Sequence, residues 1–366
     1  MALKYRISPI DPVISRDARQ FGAGSPMHPM SWLSGTLIAG AVRSALWKSS
    51  KDPDSKENLE ALRKIPIKGI FPILNEKIYF HRPLDVIRGP KRIYQIKPGE
   101  IPGNCGANMP LEGLLPAFPD AEDDFKPEKL DAFWEKDLML HWLMHGRENF
   151  DLSGKNTLPF PAHDERVHAS IDPSKGTAGD GNLFSTTGLD FIHRDIKEET
   201  FSQEEISIDI GSSDLPGKFI APVGGERRLA EFSRHDEDNA LWECPGELDD
   251  IGGNLRLVLA TPAVFANGWL PDWIDPGTLT GKIPGTNATA KLVSAVTERW
   301  QPVSGWSYER GKTGPKPMRR AVPAGSVYFF RITGGALEAK SIWLKSICLD
   351  EQNINDGFGL VLAGKW

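Results

Sequence analysis

Few residue spacings in this chain have the pattern of a catalytic or metal-binding device. His141 and His145 stand four apart and would share one face of a helix, as zinc ligands do, but position 142 is Trp where the metalloprotease pattern has its Glu base. His163-Asp164 and His235-Asp236 are His–Asp pairs without the further His and Asp ligands at helical spacing that a metal phosphohydrolase needs. Gly311-Lys312-Thr313 has the end of a phosphate-binding loop. The pattern requires glycine at 306, which is Trp306; Gly305 misses by one, and Pro315 and Pro317 prevent the helix that must follow. His168 near Asp172 could cleave RNA by general acid–base chemistry, could bond or stack on a base, or could satisfy a turn. No Gly-x-Ser-x-Gly elbow occurs. Cys105, Cys244 and Cys348 are too far apart for a Cys-x-x-Cys site, and their odd number argues against a disulfide framework. The expectation is a protein that is not an enzyme and needs no cofactor or metal.

Cationic residues, in contrast, gather in loops. Arg16 and Arg19 follow the first expected strand, and Lys91 and Arg92 sit in a Gly-Pro turn. Arg227 and Arg228 follow the pair Gly224-Gly225 at an expected helix start, where free N–H groups favour anions. The segment 307–320 carries Arg310, Lys312, Lys316, Arg319 and Arg320 against Glu309 alone, with Trp306 and Tyr308 beside it. Aromatics among arginines suit single-stranded RNA, whose bases stack and whose phosphates pair with cations. A solvated loop is the alternative for each segment taken singly. Gly357-Phe358-Gly359 would let a phosphate backbone approach the main chain. The net charge of −6 gives no general basic signature, but a nucleic-acid footprint depends on where charge sits.

The elements that must position these residues are short, since 36 glycines and 29 prolines impose many turns. A length of 366 residues suggests about two domains, and 40% hydrophobic with 25% charged content is globular. No signal-peptide run or apolar stretch of about 18 residues occurs, so a soluble cytoplasmic protein without a membrane partner is expected. Leu3 to Ser15 reads as a strand, and Ser31 caps a helix to about Trp47. Strands follow over Ile65 to Ile87. Gly99 to His163, with the acidic run Asp120 to Asp124 and a helix over Pro127 to His145, reads as an insertion. Arg166 to Ile196 is a hairpin turning at Gly176 to Gly181, Ile206 to Ile210 a strand, and Glu226 to Phe232 a short helix. In the second half, Leu255 to Phe265, Leu292 to Val303 and Val322 to Thr333 are strands, Leu337 to Ile347 a helix, and Phe358 to Trp366 a last strand. The resulting class is α+β: two tandem ferredoxin-like (RRM-like) domains, 1–245 with an insertion over about 99–163, and 246–366.

Several of these motifs together resemble the RAMP superfamily of CRISPR effector complexes. Arg16-Asp17 with Phe21, then Pro29-x-Ser31-x-Leu33 and Gly40-Ala41-x-Arg43, resemble its opening. His168-x-x-Ile171-Asp172 with Ala178, Gly181 and Leu183-Phe184 resembles its central hairpin. Gly224-Gly225-Glu226-Arg227 and the stretch from Gly305 through Lys316-Pro317 to Tyr328 are similar to the tag-binding subunit of type III-B (Cmr) complexes. Gly357-Phe358-Gly359 with Gly364 is similar to the superfamily's C-terminal glycine loop. The resemblance does not extend to residues 99–163.

The resemblance implies a non-catalytic subunit that holds the 5′ handle of the crRNA. Its partners would be the large polymerase-type subunit and the backbone RAMP subunits, with target RNA met indirectly. The RNA-binding set would be Arg16, Arg19, Arg43, Lys91, Arg92, His168, Gly224, Gly225, Arg227, Arg228, Lys312, Lys316, Arg319, Arg320, Gly357 and Gly359. Two other functions remain open: an RNA-processing endonuclease using His168, and a protein-binding scaffold using Trp269, Trp273 and Trp306.

Overall fold

Leu3, Tyr5 and Ile7 alternate along the first strand, Leu3–Pro9, and are buried on one face, while Lys4, Arg6 and Ser8 occupy the other. The strand Glu205–Ile210 answers both faces: Ile206, Ile208 and Ile210 extend the apolar one, and Asp209 and Glu205 pair with Lys4 (2.8 Å) and Arg6 (3.2 Å). The computed structural model describes residues 3–17, 19, 27–121, 124–152, 156–195, 199–212, 214–248, 251–307 and 313–366. Their backbone contacts form two compact units with interleaved segments. One comprises Met1–Asn75, Phe160–His235 and Pro302–Arg319, the other Glu76–Pro159, Asp236–Gln301 and Arg320–Trp366. The contacts thus divide the chain differently from a linear break near Pro245.

In the first unit the strands run Lys218–Pro222, Leu229–Arg234, Leu3–Pro9, Glu205–Ile210, Ile67–Leu74 across an antiparallel sheet. The helix Gly35–Ser49 buries Ile38, Ala41, Val42 and Leu46 and lies against Ile67–Leu74. Its cap is Ser34, whose hydroxyl accepts from the Leu37 N–H at 3.3 Å, and not the expected Ser31. A second helix, Lys56–Lys64, starts at Ser55 and was not foreseen. The long hairpin pairs Ala162–Asp172 with Thr177–Asp190; its turn is residues 173–176, so of the expected Gly176 to Gly181 only Gly176 lies in it. The expected helix over Glu226 to Phe232 is absent. Gly225–Arg227 is one 3-10 turn, and Leu229–Arg234 is a strand because Ala230 and Phe232 are buried at period two.

In the second unit the five-stranded antiparallel sheet runs Thr280–Lys282, Thr289–Val296, Val327–Gly334, Asn254–Leu259, Val361–Lys365. The stretch 260–288 contains no helix. Leu337 to Ile347 holds only the 3-10 turn Ala339–Ser341, because Leu344 and Lys345 exchange backbone bonds with Val361 of the last strand (2.8 and 3.2 Å). The inserted segment, expected to extend the first domain, belongs as far as Pro159 to this unit. Its helix is shorter than expected, Lys136–His145, since Phe133–Glu135 pairs as a strand with Lys77–His81. That helix buries Met139, Trp142 and Leu143 and packs on Val361–Lys365. Gly364 permits the approach: a Cβ there would lie 2.9 Å from Leu143 Cβ.

One buried polar cluster locks this arrangement. Arg256, on the second strand from the sheet edge, donates through Nη1 to Asp85 Oδ2 at 2.7 Å, and the Trp142 indole donates to Asp85 Oδ1 at 2.8 Å. Arg256 Nη2 donates to the Trp142 carbonyl. Arg256 and Asp85 have no solvent exposure. Removing one member of such a pair leaves the other charge buried without compensation. Among the described residues no helix is long and apolar enough to cross a membrane.

Asp85→Ala is expected to cost roughly 3–5 kcal/mol, read as a lowered urea midpoint. A variant as stable as the wild type would show that the cluster does not hold the inserted helix in place.

Candidate nucleic-acid interface

Just past the first strand, the Ile14 carbonyl accepts a hydrogen bond from the Gly225 N–H at 2.9 Å. Only glycine fits here: Gly224 has φ +79°, and a Cβ on it would sit 2.4 Å from that carbonyl oxygen. The glycine pair therefore serves contact between two protein backbones. Val223 N–H to Arg228 carbonyl, 2.7 Å, closes the turn. Inside it Glu226 and Arg227 take left-handed φ values of +56° and +51°, at a cost of order 1 kcal/mol or more each. The turn exposes Arg227 and half-buries Arg228, whose Nε is shielded from solvent with no hydrogen-bond partner among the described residues.

The same backbone contact brings Arg16 to this turn, because Arg16 lies two residues beyond Ile14. Its backbone is held by bonds from Met30 N–H to Ser15 carbonyl (2.9 Å) and from Asp17 N–H to His28 carbonyl (3.0 Å). Arg16 is exposed and donates to the Arg19 carbonyl at 3.1 Å. Arg19 is exposed and pairs with Asp17 at 2.6 Å. A third segment is fastened at the start of the helix Gly35–Ser49. Thr36 Oγ1 donates to the Ser304 carbonyl (3.0 Å), Ser304 Oγ to the Lys316 carbonyl (2.6 Å), and Lys316 N–H to the Gly305 carbonyl (2.8 Å). Lys316 is exposed, as is Trp306 at 50%. Arg319 is half-buried in the same unit. Phe21, Tyr308, Glu309, Arg310, Gly311 and Lys312 lie outside the described residues.

The long hairpin is rooted beside the first strand by a reciprocal pair of bonds, both 2.9 Å, between Val13 and Leu189. His168 sits on it, stacked on Phe184 (centroids 5.0 Å, planes 17° apart), with Nε2 bonded to Thr186 Oγ1 at 2.8 Å. Asp172 is four residues along the strand, about 13 Å at the usual rise. Its carboxylate accepts from the Ser174 N–H and hydroxyl, which hold it below the usual carboxylate range. The two do not meet as an acid–base pair.

Other expected site residues lie apart. Arg43 donates to the Ile65 carbonyl at 2.9 Å and so tethers the end of the helix Lys56–Lys64. Lys91, Arg92 and Arg320 belong to the other unit, where Arg92 sits 4.8 Å over the Tyr94 ring. Gly357 and Gly359 are buried in that unit too, with positive φ. Their N–H groups are already bonded to Ile354 and Pro262 carbonyls (3.1 and 2.8 Å), so this loop packs protein on protein. His141 is bonded to the Glu148 carbonyl, Asp164 to Arg166, and His235 to Ser233. Sequence inspection missed the Thr36–Ser304 clamp, whose members are 268 residues apart. It also missed Trp32, which donates to the Ile70 carbonyl (3.2 Å) and packs on Phe191 at the hairpin root. The helix was legible in the sequence, with its start placed at Ser31 and not Ser34; the partner of Thr36 was not.

At that root Glu204 is buried, with His193 Nδ1 3.5 Å away. Burial, reinforced by Asp190, pushes the Glu204 carboxyl up to about 7. The folded state then binds a proton that the unfolded chain has released above its ordinary value of 4.5, so stability falls as pH rises from about 4.5 to about 7. Glu204→Gln is expected to flatten this dependence in thermal melts across that window; an unchanged slope would exonerate Glu204.

The chain from residue 5 to 366 matches the family model described as CRISPR-associated protein (Cas_Cmr3). No curated protein matches with significance. Among solved structures it is similar to a chain of the type III-B Cmr-beta complex bound to cognate target RNA and AMPPnP. Identity is 16%, covering 89% of this chain and 86% of that one, with TM-score 0.49. It is similar at 15% identity, with the same coverage and TM-score, to a chain of that complex bound to cognate target RNA. A chain of the Csm3–Csm4 subcomplex of the type III-A interference complex is 12% identical over 99% of both chains, with TM-score 0.36. The match over nearly the whole length places this protein in the CRISPR-associated Cas_Cmr3 family.

Proposed function

We propose that this protein is a non-catalytic guide-RNA-binding subunit of a type III-B CRISPR effector complex. In this reading it holds the 5′ handle of the crRNA and joins the large polymerase-type subunit to the backbone RAMP subunits, meeting target RNA only through that assembly. The observation that carries the reading is the Ile14–Gly225 contact, which gathers Arg16, Arg227 and Arg228 in one unit although the residues are more than 200 positions apart. Arg19, Lys316 and Arg319 extend the cationic surface of that unit, while Lys91, Arg92 and Arg320 offer separate contacts from the other. Phosphates are the natural ligands of guanidiniums exposed at turns.

The strand orders support two tandem ferredoxin-like domains. Numbered along the chain, the four main strands of each sheet lie in the order 4-1-3-2, with one added edge strand apiece. Helices are depleted in the second domain, and the helix Lys136–His145 of the insert covers its last strand instead. The separation of His168 from Asp172 supports a binding role for that histidine, with Phe184 as a stacking neighbour.

Filter binding of the purified chain to labelled repeat-derived RNA tests this function. Log affinity should fall by roughly 0.7 per phosphate contact for each log unit of salt. Arg16→Ala/Arg227→Ala should weaken binding and lower that slope by about two contacts' worth, and the RNA should stay uncut. Salt-independent binding, or binding indifferent to the double substitution, would overturn the phosphate role. A specific cut lost in His168→Ala would replace it with RNA processing.

A further inference from the structure

In the unit that carries the second sheet, Trp300 is 37% exposed and has two guanidiniums on it. The Arg320 guanidinium carbon lies 4.8 Å from the ring centre and that of Arg299 lies 5.9 Å away. Both arginines are exposed, and among the described residues neither side chain makes a hydrogen bond or an ion pair. The neighbouring acid, Glu298, interacts electrostatically with Arg82. Two like charges on one ring repel each other, while each keeps its fork of N–H donors unspent. An anion would relieve the repulsion and accept from these unspent donors. The partly exposed indole is in addition a flat apolar ring of the kind on which a base stacks when it takes a guanidinium's place.

A nucleotide carries both, a planar base and a phosphate on one sugar. We propose that Trp300, Arg299 and Arg320 form a stacking site for one nucleotide of single-stranded RNA, the base on the indole and its phosphate on the guanidiniums. The proposal rests on the RNA-binding function argued above and adds to it an aromatic contact in the second unit, distinct from the cationic turns of the first. Guide and target strands share the required chemistry.

The experiment measures binding of the full chain to two short labelled single strands, one repeat-derived and one of unrelated sequence. The variants are Trp300→Ala and Arg299→Gln/Arg320→Gln, whose thermal melts should match the wild type because all three side chains are at the surface. Trp300→Ala should weaken binding roughly five- to a hundredfold, the range for one stacked base. The double Gln variant should lower the salt slope by roughly 0.7 for the one phosphate released. A loss restricted to repeat RNA assigns the site to the guide, and an equal loss on both strands assigns it to any single strand, target included. If both variants bind like the wild type while Arg16→Ala/Arg227→Ala does not, the stacking site is refuted and the handle-holding function stands. If the wild type binds neither RNA, both fail together.

Discussion

One carbonyl, that of Ile14, organises the candidate interface. It is the point at which the exit of the first strand meets the turn before the strand Leu229–Arg234, and it leaves no room for a side chain on Gly224. Arg16, Arg227 and Arg228 are placed relative to it, whereas Lys316 is held by Thr36 and Ser304. Arg16 follows two residues later, Arg227 and Arg228 three and four residues after Gly224, and the hairpin root is pinned at Val13, one residue before. The left-handed backbone of Glu226 and Arg227 fits the same picture, since such strain persists only where surrounding structure over-determines it.

The second unit depends on a different kind of constraint. A fully buried charge, Arg256, is compensated there by Asp85 and the Trp142 carbonyl, which take its two Nη groups, while its Nε is buried without a partner among the described residues. The sheet that carries Arg256 lacks a helix after its first strand, and the segment that supplies one comes from earlier in the chain. The polar cluster ties that docking to one side chain: the Trp142 indole N–H bonds Asp85 Oδ1, which no apolar residue in its place could do. The insertion is thus a structural component of the second sheet.

Glycine motifs illustrate how one composition signal serves two purposes. Gly224-Gly225 and Gly357-Phe358-Gly359 both suggest main chain opened to a phosphate. Both are used instead for close contact between protein backbones, the first against Ile14 and the second against Pro262 and Cys348. Only the first has exposed arginines attached to the turn. A glycine pair announces close approach without naming the partner.

The first strand, the helix Gly35–Ser49 and the long hairpin were legible in residue types and period, because local alternation and turn chemistry act within a few positions. So was the cationic character of the loops at Arg16, Arg227 and Lys316. Helix ends and short helices were misjudged where backbone donors are claimed by distant strands, as at Leu344 with Val361, or where two residues adopt positive φ, as at Glu226 and Arg227. Which loops converge was decided by tertiary structure alone: Thr36 with Ser304, Ile14 with Gly225, Arg256 with Asp85 and Trp142. The reason is physical. Propensity is a property of a residue and its neighbours, whereas a hydrogen bond or ion pair across one or two hundred positions exists only after the sheets have brought its partners together.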